Sequence, residues 1–173
     1  DSQLKLMVDE WNERDAARRQ DILATWVLQV QQQLTNKEPD LGLHALWELA
    51  CRPENHKEVE QEMFEQVVRT MLECADEQKH HRIATMAAGT LWMLAEPQAT
   101  RKRIPLASCI PALLTTALRV CERKGHHDLA LQPIGALGCL LREPDSMAIF
   151  EEKDGTSALL PFLASASSQV RRV

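Results

Sequence analysis

Residues 86–114 read MAAGTLWMLAEPQATRKRIPLASCIPALL, and the punctuation of that stretch decides the fold. Ala87, Ala88, Leu91, Leu94 and Ala95 recur at helical spacing, and the small residues among them let a neighbouring element come close. Pro97 ends the run. Ile110, Leu113 and Leu114 mark a further helix, with Pro111 expected in its first turn, where a missing N–H is tolerated. The stretch therefore predicts a helix, a turn, a short helix and a second long helix.

The same phrase occurs twice more. Ala45-Leu46-Trp47-Glu48-Leu49-Ala50 precedes Pro53-Glu54-Asn55-His56; Thr90-Leu91-Trp92-Met93-Leu94-Ala95 precedes Pro97-Gln98-Ala99-Thr100; Ala136-Leu137-Gly138-Cys139-Leu140-Leu141 precedes Pro144-Asp145-Ser146. Leu46 and Leu91 are 45 residues apart, Leu91 and Leu137 are 46, and Ala112-Leu113-Leu114 returns 46 residues later as Ala158-Leu159-Leu160. A helical period of this length predicts an all-α solenoid, in which each unit buries its apolar face against the next.

The strings AAGTLWMLAEP, IPALL, ENHKEV and GTSALLPFL make residues 40–173 resemble the armadillo repeat. The resemblance implies a right-handed α-solenoid of armadillo or HEAT-like repeats, with three helices per unit and third helices lining a concave groove. On this register residues 1–39 are opening helices, the start of the first repeat or a cap. Residues 40–53 hold the third helix of repeat one, 54–97 are repeat two, 98–143 repeat three and 144–173 an incomplete repeat four. Asp40 is the expected N-cap of the first of these third helices. Residues 60–74 form the middle helix of repeat two, with Met63, Phe64, Val67, Val68, Met71 and Leu72 inward and Glu58, Glu60, Glu62 and Glu65 outward. Gly125 breaks repeat three between its middle and third helices. Asp154-Gly155 is a turn before a middle helix at 158–164. The sequence stops where a third helix is due, so it reads as part of a longer array. Ser157, Leu159, Leu160, Phe162 and Leu163 then belong to a unit lacking its cover.

A chain of 173 residues with 45% apolar residues and only six glycines suits a packed helical protein. No stretch spans a membrane: residues 104–118 carry no charge but are short and broken by Pro105 and Pro111. No signal peptide is visible, and the start at Asp1 leaves room for an upstream segment. Cys51, Cys74, Cys109, Cys121 and Cys139 form no CxxC pair and sit in apolar helical runs, which predicts buried, reduced thiols of an intracellular protein. The net charge of −5 is uneven. Residues 1–78 hold 17 acidic and 8 basic side chains, net −9; residues 79–173 hold 8 and 12, net +4. Ordinary solvated faces are the simplest reading, and head-to-tail stacking of dipolar solenoids the sharper one.

In importin-α-like members of the armadillo family, a Trp and an Asn four residues apart clamp an extended basic peptide. Those places fall here on His44 and Glu48, Gly89 and Met93, Gly135 and Cys139. None is the required residue, so an amide ladder and classical import cargo are not expected. Trp47 and Trp92 stand instead one place before the missing Asn, as apolar anchors in the groove or as packing between third helices. Gly135 and Gly138 hold equivalent places in repeat three, where glycine, costly inside a helix, implies close approach of another backbone or a ligand. Glu48 and Arg142 give the groove flanks of opposite sign. The expected protein-binding groove is thus His44, Trp47, Glu48, Gly89, Trp92, Met93, Gly135, Gly138, Cys139 and Arg142.

Other clusters carry bland readings. His80-His81 and His126-His127 lie 46 apart at equivalent loops and read as solvated, with no Cys or carboxylate at a metal-ligand spacing. Arg101-Lys102-Arg103 is too short to predict nucleic-acid binding, and 4% aromatics without Tyr disfavour base stacking. Cys121 and His126 are the nearest thing to a nucleophile and base, with nothing to bring them together. The sequence therefore predicts no enzyme, metal or cofactor. It predicts an intracellular, cytoplasmic interaction scaffold, with cytoskeletal or ciliary assemblies as one setting. Its partners would be proteins, as a peptide or helix in the groove or end to end. The alternatives are a regulatory solenoid joined to a catalytic domain elsewhere, and a nucleic-acid-binding helical repeat.

Overall fold

The computed structural model describes residues 39–59, 61–77, 80–121 and 127–163. Expectations placed on residues 1–38, Glu60, Gly125, His126 and 164–173 lie outside them. In order the elements are α1 (Pro39–Ala50), a 3-10 helix (Pro53–Glu58), α2 (Gln61–Asp76), α3 (His81–Ala95), the one-turn α4 (Gln98–Arg101), α5 (Leu106–Val120), a second 3-10 helix (His127–Ala130), α6 (Leu131–Leu140), α7 (Ser146–Glu152) and α8 (Gly155–Leu163). Among the described residues there is no strand.

The helices pack in a regular order. α1 lies against α3 and α3 against α6; α2 lies against α5 and α5 against α8; α2 packs on α3 and α5 on α6. The stripe of α2 shows why. Met63, Phe64, Val67 and Met71 are buried while Glu62, Glu65, Arg69 and Glu73 are exposed, the one-sided pattern of an amphipathic helix. One apolar cluster joins Leu43, Leu46 and Leu49 of α1 to Leu91 and Leu94 of α3, Ile110 and Leu113 of α5, and Leu137 and Leu140 of α6. Each such side chain contributes about 1.5–3 kcal/mol by leaving water.

The stretch 86–114 forms the helix, turn, short helix and long helix its punctuation predicts. The long helix begins earlier than expected, at Leu106, so Pro111 stands inside it and not in its first turn. The missing N–H would have bonded the carbonyl of Ala107. Ala107 is exposed, so water can take that carbonyl. Asp40 likewise lies within α1, which opens at Pro39, a residue whose fixed φ suits a first turn. At the turn of Asp154 and Gly155, Asp154 adopts φ 51°, the left-handed conformation that short polar side chains tolerate. The buried Phe150 ring packs where a side chain at Gly155 would stand.

A recurring device closes the helix ends. The His56 ring donates through Nε2 to the Ala50 carbonyl at 2.7 Å. His81 Nε2 does the same to Ala75 at 3.1 Å, and Arg101 to Ala95 and Glu96, both at 2.9 Å. In each case a basic side chain reaches back six residues to a last-turn carbonyl that has no intrahelical partner. Two expectations change as a result. His81 is the first residue of α3 and hydrogen-bonded, not a solvated loop histidine. Of the basic run, Arg101 is buried against Glu143 at 2.8 Å, and Arg103 donates to the carbonyls of His56, Lys57 and Val59. Arg101 is thus turned inward, while Arg103 stays exposed with its guanidinium committed to carbonyls at the end of the first 3-10 helix.

Candidate functional site: a cleft on α1, α3 and α6

The expected groove residues all fall on α1, α3 and α6 or just beyond them, but they serve two different ends. Trp47 and Trp92 are half-buried, and each lies against a glycine of the next helix in the row. A Cβ built on Gly89 would stand 2.5 Å from the Trp47 ring, and one on Gly135 2.6 Å from three atoms of the Trp92 ring. The two glycines are therefore seats for rings and not open groove floor. Their buried backbone is the close approach that makes glycine worth its helix cost. Gly138 is half-buried.

At the Trp92 end the groups are consumed by one another. Trp92 Nε1–H donates to Glu96 Oε1 at 3.3 Å, the Cys139 thiol donates to the same oxygen at 3.2 Å, and Arg142 stands 3.9 Å from the other oxygen. The Cys139 hydrogen bond foremost, then those of Trp92 and the nearby Arg142 and Arg101, holds the Glu96 carboxyl below its ordinary range. Burial first, then Glu96, pushes the Cys139 thiol up to about 11, leaving it protonated and a poor nucleophile at neutral pH. Cys139 is buried, so a partner cannot read it directly. The half-buried Met93 receives the Cys51 thiol at 3.9 Å.

At the Trp47 end the groups surround space. A cleft of about 550 Å³ is lined from α1 by His44, Trp47 and Glu48. Its other walls are Arg82, Ile83, Thr85 and Met86 of α3 and Gln132 of α6. His44 and Arg82 are exposed, and the other lining residues are half-buried. Sequence reading found the α1 wall and missed the rest. The signal was present: Arg82, Thr85 and Met86 precede Gly89 by seven, four and three residues, and so share its helix face. Gln132 precedes Gly135 by three in the same way.

Cys51 corrects the expectation of uniformly buried thiols. It falls in the turn after α1 and is exposed, whereas Cys74, Cys109 and Cys139 are buried and Cys121 half-buried; none of the five forms a disulfide. Burial raises Cys109 to about 12 and Cys121 to about 11, so neither is poised for nucleophilic attack. Among the described residues no three His, Cys, Asp or Glu side chains gather as metal ligands, and no helix is long and apolar enough to cross a membrane. No family model, no curated protein and no solved structure matches this chain.

Proposed function

We propose that the chain is a non-catalytic docking module: a segment of an armadillo-type right-handed solenoid that holds a partner protein in the groove of its third helices, as part of a larger assembly. α1, α3 and α6 take the part of those third helices, and α2, α5 and α8 that of the middle ones. Support for the solenoid comes from the 45–46-residue period, from the row of α1, α3 and α6 beside the row of α2, α5 and α8, and from the six-residue capping device repeated at successive units. The observation that carries the docking role is the cleft. Trp47 presents an amphipathic ring there, seated on Gly89, and a rigid, half-exposed Trp is the kind of residue that dominates interfaces. Nucleic acid is disfavoured because Arg101 is buried against Glu143 and the Arg103 guanidinium is committed to backbone carbonyls.

The test is site-specific photocrosslinking in cells from position 44, on the cleft rim, compared with position 108 on α5, both exposed. A defined protein should crosslink from 44 and not from 108. Trp47→Ala should remove it, with a binding loss of about 2 kcal/mol or more, while Trp92→Ala should act through stability. Identical crosslinks from both positions, indifferent to Trp47→Ala, would sink the proposal.

A further inference from the structure

We infer that the cleft selects an extended partner segment bearing one basic and one acidic side chain about three residues apart, with an apolar residue between them. This deepens the docking role proposed above and rests on it. Glu48 and Arg82 are the two full charges on the cleft. Each lacks an ion-pair partner among the described residues, although Glu96, Glu143 and Asp76 elsewhere are each matched to an arginine. The two charges stand on different helices of the lining, Glu48 on α1 and Arg82 on the neighbouring α3. They also stand at different heights. Trp47 meets α3 at Gly89, so Glu48, the next residue, lies near that level. Arg82 is seven residues back, roughly 10 Å along the axis. An extended chain covers that distance in about three residues at roughly 3.3 Å each.

The match goes beyond length. In an extended chain residues an odd number apart project to opposite sides. A base and an acid three residues apart therefore project to different sides of the segment, one toward Glu48 on α1 and the other toward Arg82 on α3. An apolar side chain at one of the two places between them then meets Trp47, Ile83 and Met86, the apolar part of the lining. Complementary charges of this kind set which partner is accepted and in which register, more than they set raw affinity. A uniformly basic or uniformly acidic segment would place a like charge against one wall, which is how such a site rejects it.

The experiment is selection of random displayed dodecapeptides on the purified chain, in parallel with Glu48→Lys, Arg82→Glu and Trp47→Ala. The wild type should enrich, roughly tenfold or more, peptides with an acid and a base three apart around an apolar residue. Glu48→Lys should shift the enriched pattern to acid at both places, and Arg82→Glu to base at both. Far-ultraviolet dichroism and melting temperature should be unchanged in both, because neither charge is paired among the described residues; Glu48→Gln and Arg82→Gln repeat the test if a reversal unfolds. Peptides lost on Trp47→Ala but unmoved by either reversal would overturn the charge assignment and leave the docking role standing. No enrichment, or enrichment indifferent to all three variants, would overturn both.

Discussion

Arg101 shows how much can hang on one side chain. It is nearly buried and joins two helix-end carbonyls to the Glu143 carboxylate. Its planar fork serves three acceptors at once, which a lysine ammonium cannot do in the same geometry. Arg101→Ala leaves Glu143, also largely buried, without its cation, so a loss of about 3–5 kcal/mol is expected in urea unfolding. Arg101→Lys should recover only part of it. The thiols make a second expectation at this scale. With a maleimide under native conditions, Cys51 should label first among the described cysteines, followed at a distance by the half-buried Cys121. Burial and Glu48 raise the Cys51 pKa, opposed by Arg52. Its labelling should therefore keep rising with pH beyond the point where an ordinary thiol levels off, because only the thiolate reacts. Peptide mass spectrometry reads both results, and prior labelling of Cys109, whose thiol is pushed up to about 12, would contradict the packing.

Between elements, the ring-on-glycine contacts set the spacing of the helix row. Gly135→Ala would push a methyl into the Trp92 ring. Overpacking costs about 1–3 kcal/mol and the helix gain from alanine returns at most about 1 kcal/mol, so the single change should destabilise. In a Trp92→Ala background the obstruction is gone, and the same change should stabilise by up to about 1 kcal/mol. Such a reversal of sign in a double-mutant cycle reports the contact itself; the same sign in both backgrounds would show that ring and glycine do not meet. The contact also marks how far the sequence could be read. Periodicity placed Trp92 and Gly135 on the inner row, because a 3.6-residue repeat tells which side of a helix faces in. It could not say whether a half-exposed ring would meet a glycine or a ligand, which depends on how two helices slide past each other. Pro111 inside α5 was hidden for a related reason: whether a helix tolerates proline turns on where the orphaned carbonyl points. Composition counts Arg101 and Arg103 only as cations and cannot see the carbonyls they will reach.

For the whole molecule, each joint along the row of α1, α3 and α6 has a projecting part on one side and a receiving part on the other. Residues 54–97 carry both, Gly89 to receive and Trp92 to project. Residues 98–143 carry Gly135 to receive, but Gly138 stands 46 residues after Trp92, where a projecting ring would be. As units of the proposed solenoid, the two segments are therefore not interchangeable building blocks. Tandem duplication of 54–97 would set a ring on a glycine at the new joint, as at the old ones. Duplication of 98–143 would set Gly135 of the second copy opposite Gly138 of the first, with a hollow the size of an indole between them. In thermal unfolding the first enlarged chain should keep or gain stability, and the second should lose it until Gly138→Trp is added. On the solenoid reading proposed above, a gene of this kind could grow by copying the one segment and not the other, so the direction in which the array lengthens would be written into which segment retains the ring.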